Sequence, residues 1–428
     1  MTIAPDRVSV NALWTQLERI GTMARMTTQR LSITPRLRER MAYVKFKGPT
    51  PRMLVLRSQY WLDGACLRAA ESLGWQVTSV PTVMEGVLSK KLLGEFIAKV
   101  FEFRPDFILC VNFGGLDLDG IIANFLFDLN LPFVVWVVDD PRTILMDTRT
   151  QVTDNTVVLT WDRAYISYLS GLGFKHIHWI PLATDTTLFN SEPPGYWSRS
   201  PSFVGNSMVD FSHREWLPLL HQPVLKTFVE YAFAEGLVTR DRFGEGIEAI
   251  LGSDIVSALD AETRRRVEMI FFIEGTRRLR HAIVERLASE GLTVYGDEGW
   301  SDILCQSGGW IGYEAELPAF YRECPLNLNV TSIQMPNAVN QRVFDCPAAG
   351  GFLLTDNQPD LDVLFSKDSE TAVYHSLEDC VEKFRFYMNN PRARTAITER
   401  ARTRILEEHT YAHRLWAIEG ILKSIFAS

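Results

Sequence analysis

"IIANFLFDLNLPFVVWVVDD", residues 121–140, reads as a helix, a turn bounded by Pro132, and a run of uninterrupted apolar residues that ends in Asp139 and Asp140. A strand with no polar letters is one covered on both faces, which is the habit of parallel sheets between layers of helices. The same order precedes it in "LLGEFIAKVFEFRPDFILCVNF" (92–113) and again in "RMLVLRS" (52–58), the loop "QYWLDG" and "ACLRAAESLGWQVTSV". It follows in "TVVLTW", a helix over about 162–172, and "KHIHWIPL". Residues 50–190 are therefore expected to form one doubly wound α/β domain. "NSEPPGYWSRSPS" (190–202) is polar and rich in Pro and Ser, the composition of a linker. Beyond it the alternation resumes in "SFVGN", "LTVYGD", "WIGY", "PLNLNV", "GFLLTD" and "TAVYH". That predicts a second Rossmann-like domain over 200–405, interrupted by a helical insertion at about 215–265. Residues 406–428 follow a helical period through Tyr411, Leu415, Ile418 and Leu422, as a final helix that could cross back to the first domain. Two doubly wound domains in tandem place a ligand at the carboxyl ends of their strands, in a cleft that both domains face.

Composition bounds the function. The chain is 46% hydrophobic and 22% charged, with a net charge of −8, which argues against nucleic acid as a partner. No apolar run is long enough to span a membrane, and the N-terminus lacks a signal-peptide pattern, so a cytoplasmic protein is expected. The six cysteines are scattered without a C-x-x-C pair, which reads as isolated thiols rather than disulfides or a zinc site. His176 and His178 share a strand face but have no third ligand nearby, and no metal is expected there. Residues 1–49 are a basic, helical-looking arm: through Arg52 the chain holds ten Lys or Arg against three acids. Such an arm either packs on the acidic body or makes a peripheral contact with an anionic surface.

"VNQRVFDCPAAGGFLLTD" (339–356) carries the densest chemistry. It reads as a helix, a Gly turn and a strand, with Asn340 in the first turn and Arg342 and Asp345 on one face. Free N–H groups at the helix start, the Asn340 amide and the planar Arg342 cation suit a diphosphate. Asp345, an acceptor-only carboxylate one turn on, suits the two hydroxyls of a ribose. The competing reading is an Arg–Asp surface pair plus a cap. Pro347 is a potential kink within this helix. Gly205 and Asn206 in "FVGNS", and Tyr295 and Gly296 in "VYGDEGW", follow strands where backbone N–H groups could meet phosphate, or are ordinary turns. Asn329 closes the "PLNLN" strand. For a base that deprotonates an acceptor hydroxyl, the candidates are Asp63, Asp139 and Asp140 at strand ends, each of which could equally cap a helix. Asp117-x-Asp119 is a weak metal candidate.

The pattern "GYEAELPAFYRECPLNLNV…NQRVFDCPAAGGFLLTD…LDVLF", with "FVVWVVDDPR" and "HWIPLATDTTLF" upstream, resembles the CgeB-like (spore-maturation type) bacterial glycosyltransferases over roughly residues 50–425. The resemblance implies a GT-B fold and transfer of a sugar from a nucleotide-sugar donor, without cofactor or metal, to a glycan or protein acceptor. It implies that Asp345 holds the donor ribose, although most relatives carry glutamate, and that the backbone around Ile311, Gly312 and Tyr313 receives the nucleobase. A nucleotide-sugar epimerase of the same build, or a non-catalytic nucleotide-sugar-binding scaffold, remain the alternatives.

Overall fold

The computed structural model describes residues 33, 35–58, 60–81, 90–117, 120–145, 152–304, 307–367 and 369–427. Of the basic arm only its end is described, including the helix Pro35–Met41; the rest, together with Asp119 and Cys305, lies outside the described residues. The chain divides into two compact units, one running to Pro181 and taking up Tyr411–Ser428, the other Leu182–Thr410.

The first unit is a six-stranded parallel sheet of β1 (Arg52–Leu56), β2 (Gln76–Val80), β3 (Phe107–Val111), β4 (Phe133–Val137), β5 (Thr156–Thr160) and β6 (His176–Trp179), in the order β2-β1-β3-β4-β5-β6. Every residue of β3, β4 and β5 is buried, which is why the sequence shows apolar runs there rather than alternation. Phe96 and Phe125, from the helices Lys90–Phe103 and Ile121–Asp128, meet edge to face at 5.9 Å in the core. The final helix Tyr411–Phe426 packs on this unit: the Tyr411 ring lies 6.1 Å from Trp61 and 6.0 Å from Trp136, and Arg414 Nε donates to the Pro181 carbonyl at 2.9 Å.

Strand order reverses between β1 and β3, so the loops that follow these two strands form the unit's natural crevice. They approach so closely that a Cβ on Gly114 would stand 2.3 Å from Ser58 Cβ. Asn112 and Phe113 adopt left-handed φ values of 49° and 56° there. The Asn112 side chain secures this turn, accepting from Val138 N at 2.7 Å and donating to Asp139 at 2.7 Å.

The second unit is a five-stranded parallel sheet of β7 (Ser202–Val204), β8 (Thr293–Tyr295), β9 (Asn327–Leu328), β10 (Leu353–Asp356) and β11 (Ala372–Tyr374), in the order β11-β10-β9-β7-β8. Its reversal point lies between β7 and β9. Helices from Val209 to Ala288 separate β7 from β8 and build their own core around Val229, Phe233, Phe243, Val267 and Phe271. The stretch 190–202 lies inside this unit and is pinned to it: Ser191 N donates to Ala348 O at 3.1 Å, and Ser198 N and Arg199 N to Glu323 O. "WIGY" is loop rather than strand, with only Gly308 bridging to Tyr295. Among the described residues no helix is long and apolar enough to cross a membrane.

Candidate functional site

The stretch that drew attention in the sequence stands at the reversal point of the second sheet. Its helix is shorter than its letters suggest, Arg342–Ala348, and Asn340 precedes it instead of occupying its first turn. The reason is a tertiary contact. The Asn340 amide is spent on Asn329, donating Nδ2 to Oδ1 at 2.7 Å, and Gln341 stands at the cap without a side-chain capping bond. Pro347 falls in the last turn, and Gly350, at φ 82°, ends the helix.

Arg342 ties together the ends of β7 and β9. Its Nη1 donates to Asn329 Oδ1 at 2.8 Å and, weakly at 3.5 Å, to Leu328 O; its Nη2 donates to Val204 O. Nε reaches the Tyr321 hydroxyl at 3.4 Å. Two of these four bonds sit at the long limit, so the guanidinium retains N–H capacity for an incoming anion. Its hydrogen-bond partners among the described residues include no carboxylate, so the surface Arg–Asp pair does not form. Asn329, Asn340, Arg342 and the loop after β7 thus meet in one place. Gly205 N donates to Tyr295 O at 2.9 Å, and a Cβ on Gly296 would lie 2.1 Å from Gly205 O, so Tyr295 and Gly296 join the same cluster. Asn206 turns its side chain inward to accept from Met208 N at 2.6 Å. Asn340 Oδ1 is buried without a hydrogen-bond partner, an acceptor site beside the arginine.

Asp345 has a separate set of partners. It is 1% exposed, and its carboxylate accepts from Thr184 Oγ1 at 2.8 Å, Gln341 Nε2 at 2.9 Å and Tyr313 Oη at 2.7 Å. Burial pushes its carboxyl up to about 7, opposed by those three hydrogen bonds and assisted by the nearby Asp185 charge. A folded pKa raised from the ordinary 3.8 means that the native state holds the proton more tightly. The stability this contributes is present below pH about 4 and is lost as pH rises through about 7. The melting temperature of Asp345→Asn is therefore expected to gain on that of wild type between pH about 4 and about 8; a constant difference contradicts the expectation.

Tyr313 is placed beside Asp345 by that bond and by the Phe189 ring at 5.4 Å. The neighbouring Gly312 donates its N–H to Glu316 Oε2 at 2.7 Å, and its carbonyl accepts from Glu316 N and Leu317 N. Ile311 stands half-buried next to it. Thr184 went unnoticed in the sequence because nothing local marks a partner 161 positions away, while Gln341 stands only four positions from Asp345 and its spacing alone could have marked it. Arg240 was also missed. From the helix Arg240–Glu245 its Nη2 donates to Thr331 O at 2.9 Å and Asp356 Oδ2 at 2.7 Å, at the ends of β9 and β10.

In the first unit the three acids separate by their partners. Asp63 is 1% exposed and takes hydrogen bonds from Ser58 N at 2.6 Å and Ser58 Oγ at 3.0 and 3.1 Å. Asp140 is fully buried, caps the helix Pro141–Ile144 through Arg142 N at 2.9 Å and pairs with the Arg142 guanidinium at 2.6 Å. Asp139 is half-buried, with Oδ2 held by Tyr60 Oη at 3.1 Å and Asn112 Nδ2 at 2.7 Å. Asp117 is committed to structure: its oxygens accept from Ile121 N and Ile122 N at 2.7 and 2.9 Å at the start of a helix.

Comparison with known proteins fits this geometry. Residues 265–420 match a family model described as "Glycosyl transferase-like". Among solved structures, sucrose-phosphate synthase from Thermosynechococcus elongatus is 11% identical with a TM-score of 0.52, covering 88% of this chain and 99% of that one. A glycosyltransferase from Rickettsia africae is 9% identical at 0.51, covering 88% and 99%. Anabaena HepE in complex with UDP-glucose is 10% identical at 0.51, covering 87% and 100%. No curated protein matches the sequence. Residues 265–420 thus carry a glycosyltransferase-like match, and the chain shares the GT-B fold of these solved structures.

Proposed function

We propose that the protein transfers a sugar from a nucleotide-sugar donor to a glycan or protein acceptor, without a metal ion or other cofactor. The observation that carries this reading is the meeting of Arg342, Asn329 and Asn340 at the reversal point between β7 and β9, beside the tight Gly205–Gly296 contact. That is where an open parallel sheet binds its ligand, and among the described residues the cation there has no carboxylate hydrogen-bonded to it. The donor diphosphate lies on Arg342, with a sugar hydroxyl donating to the unpartnered Asn340 Oδ1. The ribose lies toward Asp345 and Tyr313. Uridine nucleotides are the first probes, because HepE, which shares the fold, binds UDP-glucose. Membership of the CgeB-like branch rests on the N-x-R-x-F-D pattern at 340–345 and the "LLTD" strand at 353–356.

In the transfer step a carboxylate base takes the acceptor O–H proton. The acceptor oxygen then forms its bond to the anomeric carbon as the bond from that carbon to the diphosphate breaks, and the electron pair departs on the diphosphate. Arg342 stabilises that growing charge more than it stabilises the bound donor, which is the condition for acceleration. Of the three candidate acids we assign the role to Asp139, which is half-buried beside Tyr60 and Asn112, whereas Asp63 and Asp140 are buried against Ser58 and Arg142. Asp139→Asn is expected to lower kcat by about 10²–10⁴ with the melting temperature little changed. Asp140→Asn is expected to lower the melting temperature instead; equal activity losses without any stability loss would count against the assignment.

The reading is tested by incubating the protein with UDP-sugars, alone and with glycan or protein acceptors, and following nucleoside diphosphate and sugar products. Acceptor-dependent release supports transfer. Conversion of the donor sugar to its epimer with no acceptor would indicate an epimerase.

A further inference from the structure

The anion site contains a second cation that the sequence did not single out. Arg280 lies on the long helix Ala261–Ala288, which continues out of the helical insertion. Its Nη1 donates to Asn206 O at 2.9 Å, and its Nε is buried without a hydrogen-bond partner. Arg342 holds the carbonyl of Val204, two residues earlier in the same loop, and a Cβ built on Gly205 would stand 3.7 Å from Arg342 Nη2. Two guanidinium groups therefore grip one three-residue turn, and neither is hydrogen-bonded or ion-paired to a carboxylate among the described residues. Burial, and then the Arg342 charge, push Arg280 down to about 10, with Asp297 and Asp356 opposing. His281, the next residue, anchors the turn independently through Nε2 and Ser207 O at 2.8 Å, so Arg280 is not its sole tether.

Like charges drawn together in a partly dry site are costly unless a multivalent anion neutralises them. We propose that Arg280 and Arg342 together hold the two phosphoryl groups of a nucleoside diphosphate, which makes the long inserted helix part of the donor site. The inference rests on the donor reading given above and adds a consequence to it: Arg280 sets the preference for a diphosphate over a monophosphate, because the second phosphoryl group supplies the charge that the second guanidinium needs. The planar fork suits paired phosphate oxygens better than an ammonium does.

The test is calorimetric titration of the full chain with UDP, UMP and inorganic pyrophosphate, for wild type, R280Q and R342Q, with folding checked by circular dichroism. R280Q is expected to weaken UDP about tenfold to a hundredfold and UMP distinctly less, so that the UDP-over-UMP preference falls. A folded R280Q that keeps the wild-type preference overturns the proposal and leaves the donor reading intact. Pyrophosphate binding that depends on Arg280, in a protein that ignores UDP, supports the paired-arginine site and removes the donor reading. No binding of either probe to wild type defeats both. Should R280Q not fold, R280K decides: the preference falls if the guanidinium fork holds phosphate and persists if Arg280 serves only as a tether.

Discussion

Arg342→Ala is expected to lower kcat/KM for the nucleotide sugar by on the order of 10³, the scale of losing a positioned donor to developing negative charge. The guanidinium has two tasks. It binds Val204 O and Asn329 Oδ1, so it fixes the ends of β7 and β9 relative to each other, and it leaves N–H capacity directed at an anion. Truncation removes both. The first loss removes a donor from Val204 O and from Asn329 Oδ1, which keeps Asn340, and is expected to cost about 1–3 kcal/mol of stability. The second removes the charge that the leaving diphosphate meets. Arg342→Lys separates them: it keeps the charge and loses the fork, so an intermediate fall in activity is expected. Steady-state kinetics together with thermal melts of both variants check this. A fully active Arg342→Ala would contradict the assignment of the site.

The largest structural effect is expected from Gly296→Ala. A Cβ there would stand 2.1 Å from Gly205 O and 3.0 Å from Trp300 Nε1. The first neighbour is backbone and cannot swing aside. Gly205 is held from two directions, by its N–H to Tyr295 O at 2.9 Å and by Trp300 Nε1 to its carbonyl at 2.8 Å. Accommodating one methyl group means parting the ends of β7 and β8, with a cost of about 3 kcal/mol, at the upper end of overpacking. Because Gly205 belongs to the turn on which Arg342 rests, nucleotide binding is expected to fall as well. Gly309→Ala is the matched control: a Cβ there meets nothing within 4 Å, so melting temperature and nucleotide affinity should stay near wild type.

The fold was legible where strands are buried on both faces. Phe107–Val111, Phe133–Val137 and Thr156–Thr160 have no exposed residue, so their apolar runs could hardly be misread. Legibility failed where elements shrink toward the site. β9 keeps only two residues in strand form, and the segment from Trp310 is loop, since residues there serve partners other than a sheet neighbour. Arg342 stood out in the sequence as a planar cation at a helix start beside Asn340, with a surface Arg–Asp pair as the competing reading, and only the fold brings Asn329 to it. The start of its helix was misplaced because the deciding bond, Asn340 to Asn329, joins residues whose pairing depends on tertiary structure. Asp63, Asp139 and Asp140 looked equivalent as letters, and only their partners separate them. Arg280 stands in the run "TRRLR" (276–280), where nothing local distinguishes it from Arg277 and Arg278. Those two pair with Glu274 on their own helix, at 2.7 and 2.6 Å, while Arg280 reaches a loop 74 positions away.

The most direct test of the central claim is a titration of the wild-type chain with UDP and the same titration of Arg342→Ala. The proposed donor site predicts binding in the first case and a loss of about a hundredfold or more in the second, matched by acceptor-dependent release of nucleoside diphosphate from a nucleotide sugar by wild type alone. Equal affinity in the two proteins, with nucleotide bound elsewhere, would contradict the placement of the donor at the β7–β9 reversal point.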